Sequence, residues 1–438
     1  MKFYSTNRQS PPVTLREAVM NGLAADGGLY MPERIPVIPR AFFNNISGMG
    51  IRDIAFVVAD MMLGDDIEST EIRQIVNDTF SFEIPLVKVD KDISALELYH
   101  GPTLAFKDVG ARFLARVISH YSASGGGGKG KVKVIVATSG DSGGAVAAGF
   151  KDVPGVEVYI MYPSGRLSRM QREQLDVPGG SVHAIEVLGT FDDCQRLAKQ
   201  AFCDADLRRE YEITSANSIN ICRLLPQMFY FFHAYASLLS SEGDSRCEVV
   251  MAVPSGNLGN LTAGLLAWRM GLPVKRFVVA NNVNDVTVDY LNTGRFVPRR
   301  AVKTLACAMD VGNPSNVSRI NDLFGGDFGP LSRLIKGYSY SDEDIMGWIS
   351  RTYSADGYLL DPHGATAYAA LHADIKPGEK GIFLATAHPS KFSRTVEEAT
   401  GVKLGTLPQA EPSHRPVHPR ISVSYEALKK ILMSENNS

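Results

Sequence analysis

From residue 132 onward, short β-branched runs alternate with helical patterns, and this alternation restricts the fold more than any other feature of the chain. Residues 132–137, 156–162, 182–187, 249–253, 277–280 and 382–386 read as strands with little polar alternation. Strands that are apolar on both faces belong to a parallel sheet covered by helices on each side. Helical spacing fills the intervals at 143–150, 168–175, 191–207, 219–239 and 261–270, with another helix from about 391 and a last one at 425–433. The units suffice for two sheets. The expectation is an α/β chain with two parallel-rich sheet domains within residues 81–438, starting with short strands at 85–90 and 95–99 and ending in the C-terminal helix. Residues 1–80 differ. Leu15, Ala18, Val19 and Leu23, and later Ile51, Ile54, Ala55, Val58 and Met62, keep helical spacing, which predicts a small, mostly helical N-terminal unit.

Several function classes drop out. A net charge of -2 over 438 residues leaves no electrostatic footprint for nucleic acid. No apolar run of about 18 residues is present to span a membrane. The first residues are polar and lack a signal-peptide core, so a cytoplasmic location is expected. The five cysteines are odd in number and lack Cys-x-x-Cys spacing, which predicts free thiols in a reducing compartment. No metal-ligand motif occurs.

Chemistry first suggests itself at residues 100–108 (HGPTLAFKD). A Gly-Pro turn follows a strand, and a helical pattern begins near Asp108. Lys107 therefore stands at a helix entry, after Leu104, Ala105 and Phe106. Apolar neighbours disfavour the charged ammonium, lower its pKa and make the amine a usable nucleophile, as a Schiff-base lysine requires. A solvated lysine flanking a helix is the plain alternative.

Two motifs compete with this reading. Residues 125–131 fit G-x-x-x-x-G-K, but Val132 replaces the Ser or Thr that holds magnesium, and the loop precedes a strand instead of following one. Residues 140–144 fit G-x-S-x-G between a strand and a helix, which would make Ser142 a hydrolase nucleophile with Asp361 and His363 following in order. The same residues, 138–143 (TSGDSG), also read as an anion-binding loop at a helix N-terminus. Residues 254–260 (PSGNLGN) lie between a strand and a helix, where glycines admit close backbone approach and N–H groups face outward. That is a phosphate cradle without a charged side chain, or an ordinary βα turn. Two anion loops beside a candidate Schiff-base lysine point to a phosphorylated carbonyl cofactor, and pyridoxal phosphate has both features. Residues 384–392 (LATAHPSKF) add a hydroxyl at a strand end, with Ser390 a candidate helix N-cap.

These motifs, with 2–6 (KFYST), 26–32 (DGGLYMP) and 217–220 (NSIN), resemble the threonine synthase family of fold type II pyridoxal-phosphate enzymes, which are similar to tryptophan synthase β. Departures are small: Leu258 stands where the family often has Phe, Ile221 and Cys222 where it often has Trp-Ala, Ser142 for Thr and Ser390 for Ala. The resemblance implies conversion of O-phospho-L-homoserine and water to L-threonine and phosphate, as the last step of threonine biosynthesis. It implies that Lys107 carries pyridoxal 5'-phosphate and later removes the Cα proton. Ser255, Gly256, Asn257, Leu258, Gly259 and Asn260 would cradle the cofactor phosphate, with Thr386 at the pyridine nitrogen and Asp141 near the 3′ oxygen. Thr138 and Ser139 would take the substrate carboxylate. Ser218, Asn220 and Arg223 would take its phosphate, with Arg166, Arg169, Arg172 and Lys391 as further candidate cations. Residues 1–80 would be the family's N-terminal unit and 81–438 its catalytic region. A monomer or homodimer is expected. Another lyase of the same fold, of the threonine dehydratase kind, and the Ser142 hydrolase are the alternatives.

Overall fold

A computed structural model describes residues 1–123, 131–138, 140–167, 169–176, 180–243, 247–405 and 418–434. Its strands are β1 (Lys2–Ser5), β2 (Val13–Thr14), β3 (Tyr30–Pro32), β4 (Leu86–Lys88), β5 (Ile93–Glu97), β6 (Val132–Ala137), β7 (Val156–Pro163), β8 (Val182–Val187), β9 (Ile213–Ser215), β10 (Glu248–Pro254), β11 (Val274–Asn281), β12 (Ile335–Ser339), β13 (Glu379–Ala385) and β14 (Arg420–Ile421). One sheet runs β12-β11-β10-β13-β5-β4, parallel except for the edge strand β4. A second runs β14-β8-β7-β6-β9 and is parallel throughout. Every residue of β6 and β7 is buried. Helices cover both faces of the sheet, which is why these strands carry apolar side chains in both directions.

The N-terminal unit holds more than helices. β2-β1-β3 form a small antiparallel sheet in front of the helices Ile51–Leu63 and Ser69–Thr79. Those strands are two to four residues long, too short to leave a period-2 signal. The helix Ser69–Thr79 packs on the helix Lys107–Ala123, so the N-terminal unit braces the element that begins with Lys107.

The expected helix at 219–239 is two helices, Ile221–Leu224 and Gln227–Glu242, interrupted at Pro226, which has no N–H to continue the ladder. The expected helix at 191–207 ends at Cys203, because Asp204 caps a new helix, Ala205–Glu210, through the N–H groups of Asp206 and Leu207. No element is predicted between 281 and 375, yet this stretch folds into β12 and the helices Val286–Thr293, Val317–Leu323, Asp342–Asp356 and Pro362–Asp374, among others. Residues 125–130 of the G-x-x-x-x-G-K match lie outside the described residues. Among the described residues, no helix is long and apolar enough to cross a membrane.

Candidate active site

Five parallel strands deliver the candidate residues, each from its carboxyl end. Lys107 follows β5, Asp141 follows β6, Ser218, Asn220 and Arg223 follow β9, the loop 255–260 follows β10, and Thr386 with Lys391 follows β13. Open α/β sheets bind ligands in this place, where loops and helix N-termini converge.

Lys107 is the first residue of its helix. The preceding turn is held against the end of β13 by the Phe106 N–H on the Thr386 carbonyl (2.9 Å) and the His388 N–H on the Leu104 carbonyl (3.0 Å). Leu104 sits at φ 58°, an uncommon conformation for a non-glycine residue, and one often found at functional turns. Inside the helix, Asp108 is fully buried and accepts from the Thr103 N–H (2.9 Å) and hydroxyl (2.6 Å), which locks the turn to the helix start. Burial lowers the Lys107 pKa; Asp141 opposes that shift, while Arg223 and Lys391 reinforce it.

Asp141 opens the helix Asp141–Phe150 and pairs with the Lys391 ammonium at 2.9 Å. Gln171 donates to the same carboxylate at 3.2 Å. Burial alone would raise the Asp141 pKa, but the charges of Lys391 and Lys107 outweigh it and hold the carboxyl well below the usual range. Lys391 also donates to the Thr103 carbonyl (2.9 Å).

The loop 255–260 keeps its side chains busy with one another. Ser255 donates its hydroxyl to Asn260 Oδ1 (2.5 Å), Asn260 donates to the Pro254 carbonyl (2.9 Å), and Asn257 donates to Ser218 Oγ (2.7 Å). Leu258 caps the helix Gly259–Arg269 at φ 60°. Among the described residues, no acceptor meets the backbone N–H groups of Gly256, Asn257, Leu258, Gly259 and Asn260. A Cβ on Gly256 would lie 2.8 Å from Met309 Cα and 2.9 Å from the Ala308 carbonyl oxygen, so only glycine fits there. Thr386 is buried, and among the described residues its hydroxyl has no protein partner.

The remaining candidates divide. Thr138 Oγ1 accepts from the N–H groups of Gly140 (3.0 Å) and Gly143 (2.8 Å) and so shapes the loop before Asp141. Ser139 and the side chain of Arg169 lie outside the described residues. Asn220 is an N-cap: its Oδ1 accepts from the Cys222 N–H (3.0 Å) and its amide donates to the Val19 and Ser215 carbonyls (2.9 Å each). Arg223 is buried and donates to the Ala216 carbonyl (2.5 Å), while its Nε is left without a partner beside Gly110, one turn along the Lys107 helix. It forms no ion pair among the described residues, and burial lowers its pKa to about 10. Arg166 and Arg172 are exposed. Ser390 does not cap its helix; His388 Nδ1 accepts the Ser390 N–H instead (3.2 Å).

The hydrolase arrangement does not assemble. His363 Nδ1 meets Asp361 at 2.6 Å, but its Nε2 accepts the Ala308 N–H at 3.1 Å and is not free for Ser142. Asp361 is the N-cap of the helix Pro362–Asp374. The pair pins the segment that covers Gly256.

Family models for the threonine synthase N terminus, a pyridoxal-phosphate dependent enzyme and the threonine synthase C-terminal region match residues 2–80, 84–386 and 363–427. Threonine synthase of Escherichia coli (strain K12) is 39% identical over 437 residues, covering 99% of this chain and 100% of that protein. The chain belongs to the threonine synthase family. The crystal structure of the Escherichia coli threonine synthase superposes with a TM-score of 0.90 at 38% identity, covering 99% of both chains. A pyridoxal-phosphate-bound threonine synthase from Brucella melitensis does so at 0.90 and 30% identity, covering 99% of this chain and 98% of that one. The protein is therefore a pyridoxal-phosphate-dependent lyase of fold type II. Its own residues fit that cofactor: a lysine with lowered pKa and a loop of unpaired N–H groups at a helix N-terminus, kept open by Gly256.

Two features of this threonine synthase-family site escaped the sequence reading. Lys391 was a candidate for substrate phosphate and is instead the partner of Asp141. The 255–260 loop, read as a possible cradle lacking a charged side chain, has Arg319 nearby, bonded to Asn316, which donates to the Asn257 carbonyl, and to the Ser218 carbonyl.

Proposed function

We propose that this chain converts O-phospho-L-homoserine and water to L-threonine and inorganic phosphate. The observation that carries this reading is Arg223, a buried cation with an unpartnered Nε beside the start of the Lys107 helix. A lyase acting on an unphosphorylated amino acid needs no second anion site beyond the cofactor cradle and the carboxylate loop.

When bound, pyridoxal phosphate supplies an electron-withdrawing ring that stabilises negative charge at the substrate Cα. Lys107 holds the cofactor through its amine. The N–H groups of Gly256, Asn257, Leu258, Gly259 and Asn260, framed by Ser255, receive the cofactor phosphate. Thr386 offers its hydroxyl to the ring nitrogen, and Asp141 serves the 3′ oxygen. When not bonded to the cofactor, the Lys107 amine would serve as a base, since burial disfavours its ammonium form. It takes the Cα proton. A second proton leaves Cβ, phosphate leaves Cγ with the C–O bonding pair, a proton is returned to Cγ to make the methyl group, water adds its hydroxyl at Cβ, and a proton returns to Cα to complete threonine. Thr138 and Ser139 bind the substrate carboxylate, Thr138 by gathering the loop around its hydroxyl. Arg223 and Ser218 hold the leaving phosphate on a turn fixed by the Asn220 cap.

The same reading divides the chain into residues 1–80 and a catalytic region, 81–438, in a cytoplasmic monomer or homodimer. The five free thiols suit a reducing compartment. The test is incubation of the purified protein with O-phospho-L-homoserine. Threonine and phosphate in equal amounts are expected. Deamination of threonine, with no phosphate released from phosphohomoserine, would reject the proposal in favour of a dehydratase.

A further inference from the structure

Arg319 is fully buried and donates only to neutral acceptors. Its Nε meets the Tyr30 carbonyl (3.1 Å), Nη1 meets Asn316 Oδ1 (2.8 Å) and the Ser218 carbonyl (3.2 Å), and Nη2 meets the Ile219 carbonyl (2.7 Å). Carbonyls satisfy the N–H groups but do not cancel the charge. Among the described residues no carboxylate pairs with it. The position adds to the cost, because Arg319 lies in the first turn of the helix Val317–Leu323, where the dipole favours anions. Burial lowers its pKa to about 9, which still leaves a cation at neutral pH. A well-packed apolar side chain would cost less here unless the charge is used.

One layer of side chains separates this cation from the cradle. Asn316 accepts from Arg319 and donates its Nδ2 to the Asn257 carbonyl (2.9 Å). Ser218, whose carbonyl Arg319 holds, accepts from Asn257 Nδ2 (2.7 Å). A Cβ on Gly259 would touch both, 3.7 Å from Asn316 Nδ2 and 3.7 Å from Ser218 Cβ.

We propose that Arg319 is a positioning residue for the cofactor, a buried cation whose counter-charge is the phosphate held in the 255–260 loop. The proposal rests on the assignment of that loop as the cradle. Arg319 draws the phosphate electrostatically and, through its bonds to Ser218, Ile219 and Tyr30, ties the cradle to the substrate-side turn and the N-terminal unit.

The test compares two ligands on the full-length apoprotein, followed by absorbance. Pyridoxal phosphate and pyridoxal both react with Lys107, and only the first carries the phosphate. Arg319→Met is expected to lower the preference for pyridoxal phosphate over pyridoxal by about tenfold or more, as loss of one low-dielectric charge interaction predicts, with pyridoxal affinity unchanged. Arg319→Lys keeps most of the preference. Equal weakening of both ligands, or an unchanged preference in Arg319→Met, overturns the proposal. If Arg319→Met does not fold, Asn316→Asp and Asn316→Ser replace it: both remove the contact to Asn257, but only the aspartate neutralises Arg319. A lower preference in the aspartate variant alone supports the proposal, and equal preferences overturn it. Gly256→Ala separates the two readings. If it leaves the preference intact, the cradle assignment falls and takes the proposal with it; if it lowers the preference while the Arg319 variants do not, only the proposal falls.

Discussion

Lys391, on the segment after β13, places its ammonium 2.9 Å from the carboxylate of Asp141, on the helix after β6. The two side chains are only 2% and 7% exposed, so the pair joins the two sheets in a nearly dry setting. It also acts on the Lys107 amine. Asp141 favours the Lys107 ammonium, and Lys391 opposes it directly and by neutralising Asp141.

Lys391→Met should therefore raise the Lys107 pKa. The neutral amine fraction at a given pH falls, and the acid limb of cofactor uptake by the apoprotein moves up by about one pH unit. Uptake rates by stopped-flow absorbance across pH measure this. The same variant leaves Asp141 buried without its partner and should lose about 3 kcal/mol of stability in urea. An unmoved acid limb would remove Lys391 from any role in setting the amine.

Lys107→Ala should fold normally, since alanine suits the first turn of a helix and a buried amine is removed. The purified variant should lack the absorbance of lysine-bound cofactor, and turnover should drop by about a thousandfold or more, because both the covalent attachment and the base are gone. Near-wild-type turnover with a colourless protein would place the base elsewhere.

The fold was legible where buried parallel strands wrote continuous apolar runs. β8 and the helix Tyr425–Met433 fall where their patterns put them. β2, β9 and β12, two to five residues long, were not legible, because so few residues need not display a period, although β4 and β5 of similar length were expected. The site followed the same division. Lys107, Asp141, the 255–260 loop and Thr386 sit in contiguous motifs, and each motif marks the end of one strand. Lys391–Asp141 and Arg319–Ser218 join residues 250 and 101 apart in sequence, and no local pattern records such pairings. Asn220 teaches the converse. It lies in a telling motif, yet its amide is engaged in capping and in bonds to Val19 and Ser215.

Gly101→Ala should disturb the catalytic lysine from a distance. A Cβ at Gly101 would stand 2.5 Å from Asp108 Oδ2, the oxygen that accepts the Thr103 N–H. Asp108 is rigidly packed, so the turn must shift or the bond must break. A loss of about 1–3 kcal/mol is expected, as for a buried polar group left unsatisfied, together with slower cofactor uptake. Urea denaturation and uptake rates measure the two effects; a variant with unchanged stability would show that the turn yields freely.

Acid should loosen the six-stranded sheet before it unfolds the whole. Arg276 pairs with Glu379 (2.6 Å) and with Asp374, and the Arg276 bond, helped by Lys275 and the Lys376 N–H against the effect of burial, lowers the Glu379 pKa to about 2. A depressed carboxylate contributes stability above its unfolded pKa, about 4.3, and loses it as pH falls through the folded value. The thermal midpoint should therefore fall between about pH 4.5 and pH 2, and Arg276→Met should flatten that part of the curve while lowering the midpoint at pH 7. Parallel curves for the two proteins would assign the acid sensitivity to other carboxylates.

Arg223→Gln isolates the second anion site. Glutamine keeps a donor for the Ala216 carbonyl but removes the charge and the free Nε. If Arg223 binds the substrate phosphate in the ground state, KM for O-phospho-L-homoserine rises by about tenfold or more with kcat little changed. If it acts only on the departing phosphate, kcat and kcat/KM fall together. Cofactor affinity should stay near the wild-type value in either case, because the cradle holds a different phosphate. A parallel loss of cofactor affinity would merge the two sites, and an unchanged KM and kcat would leave the substrate phosphate to other residues.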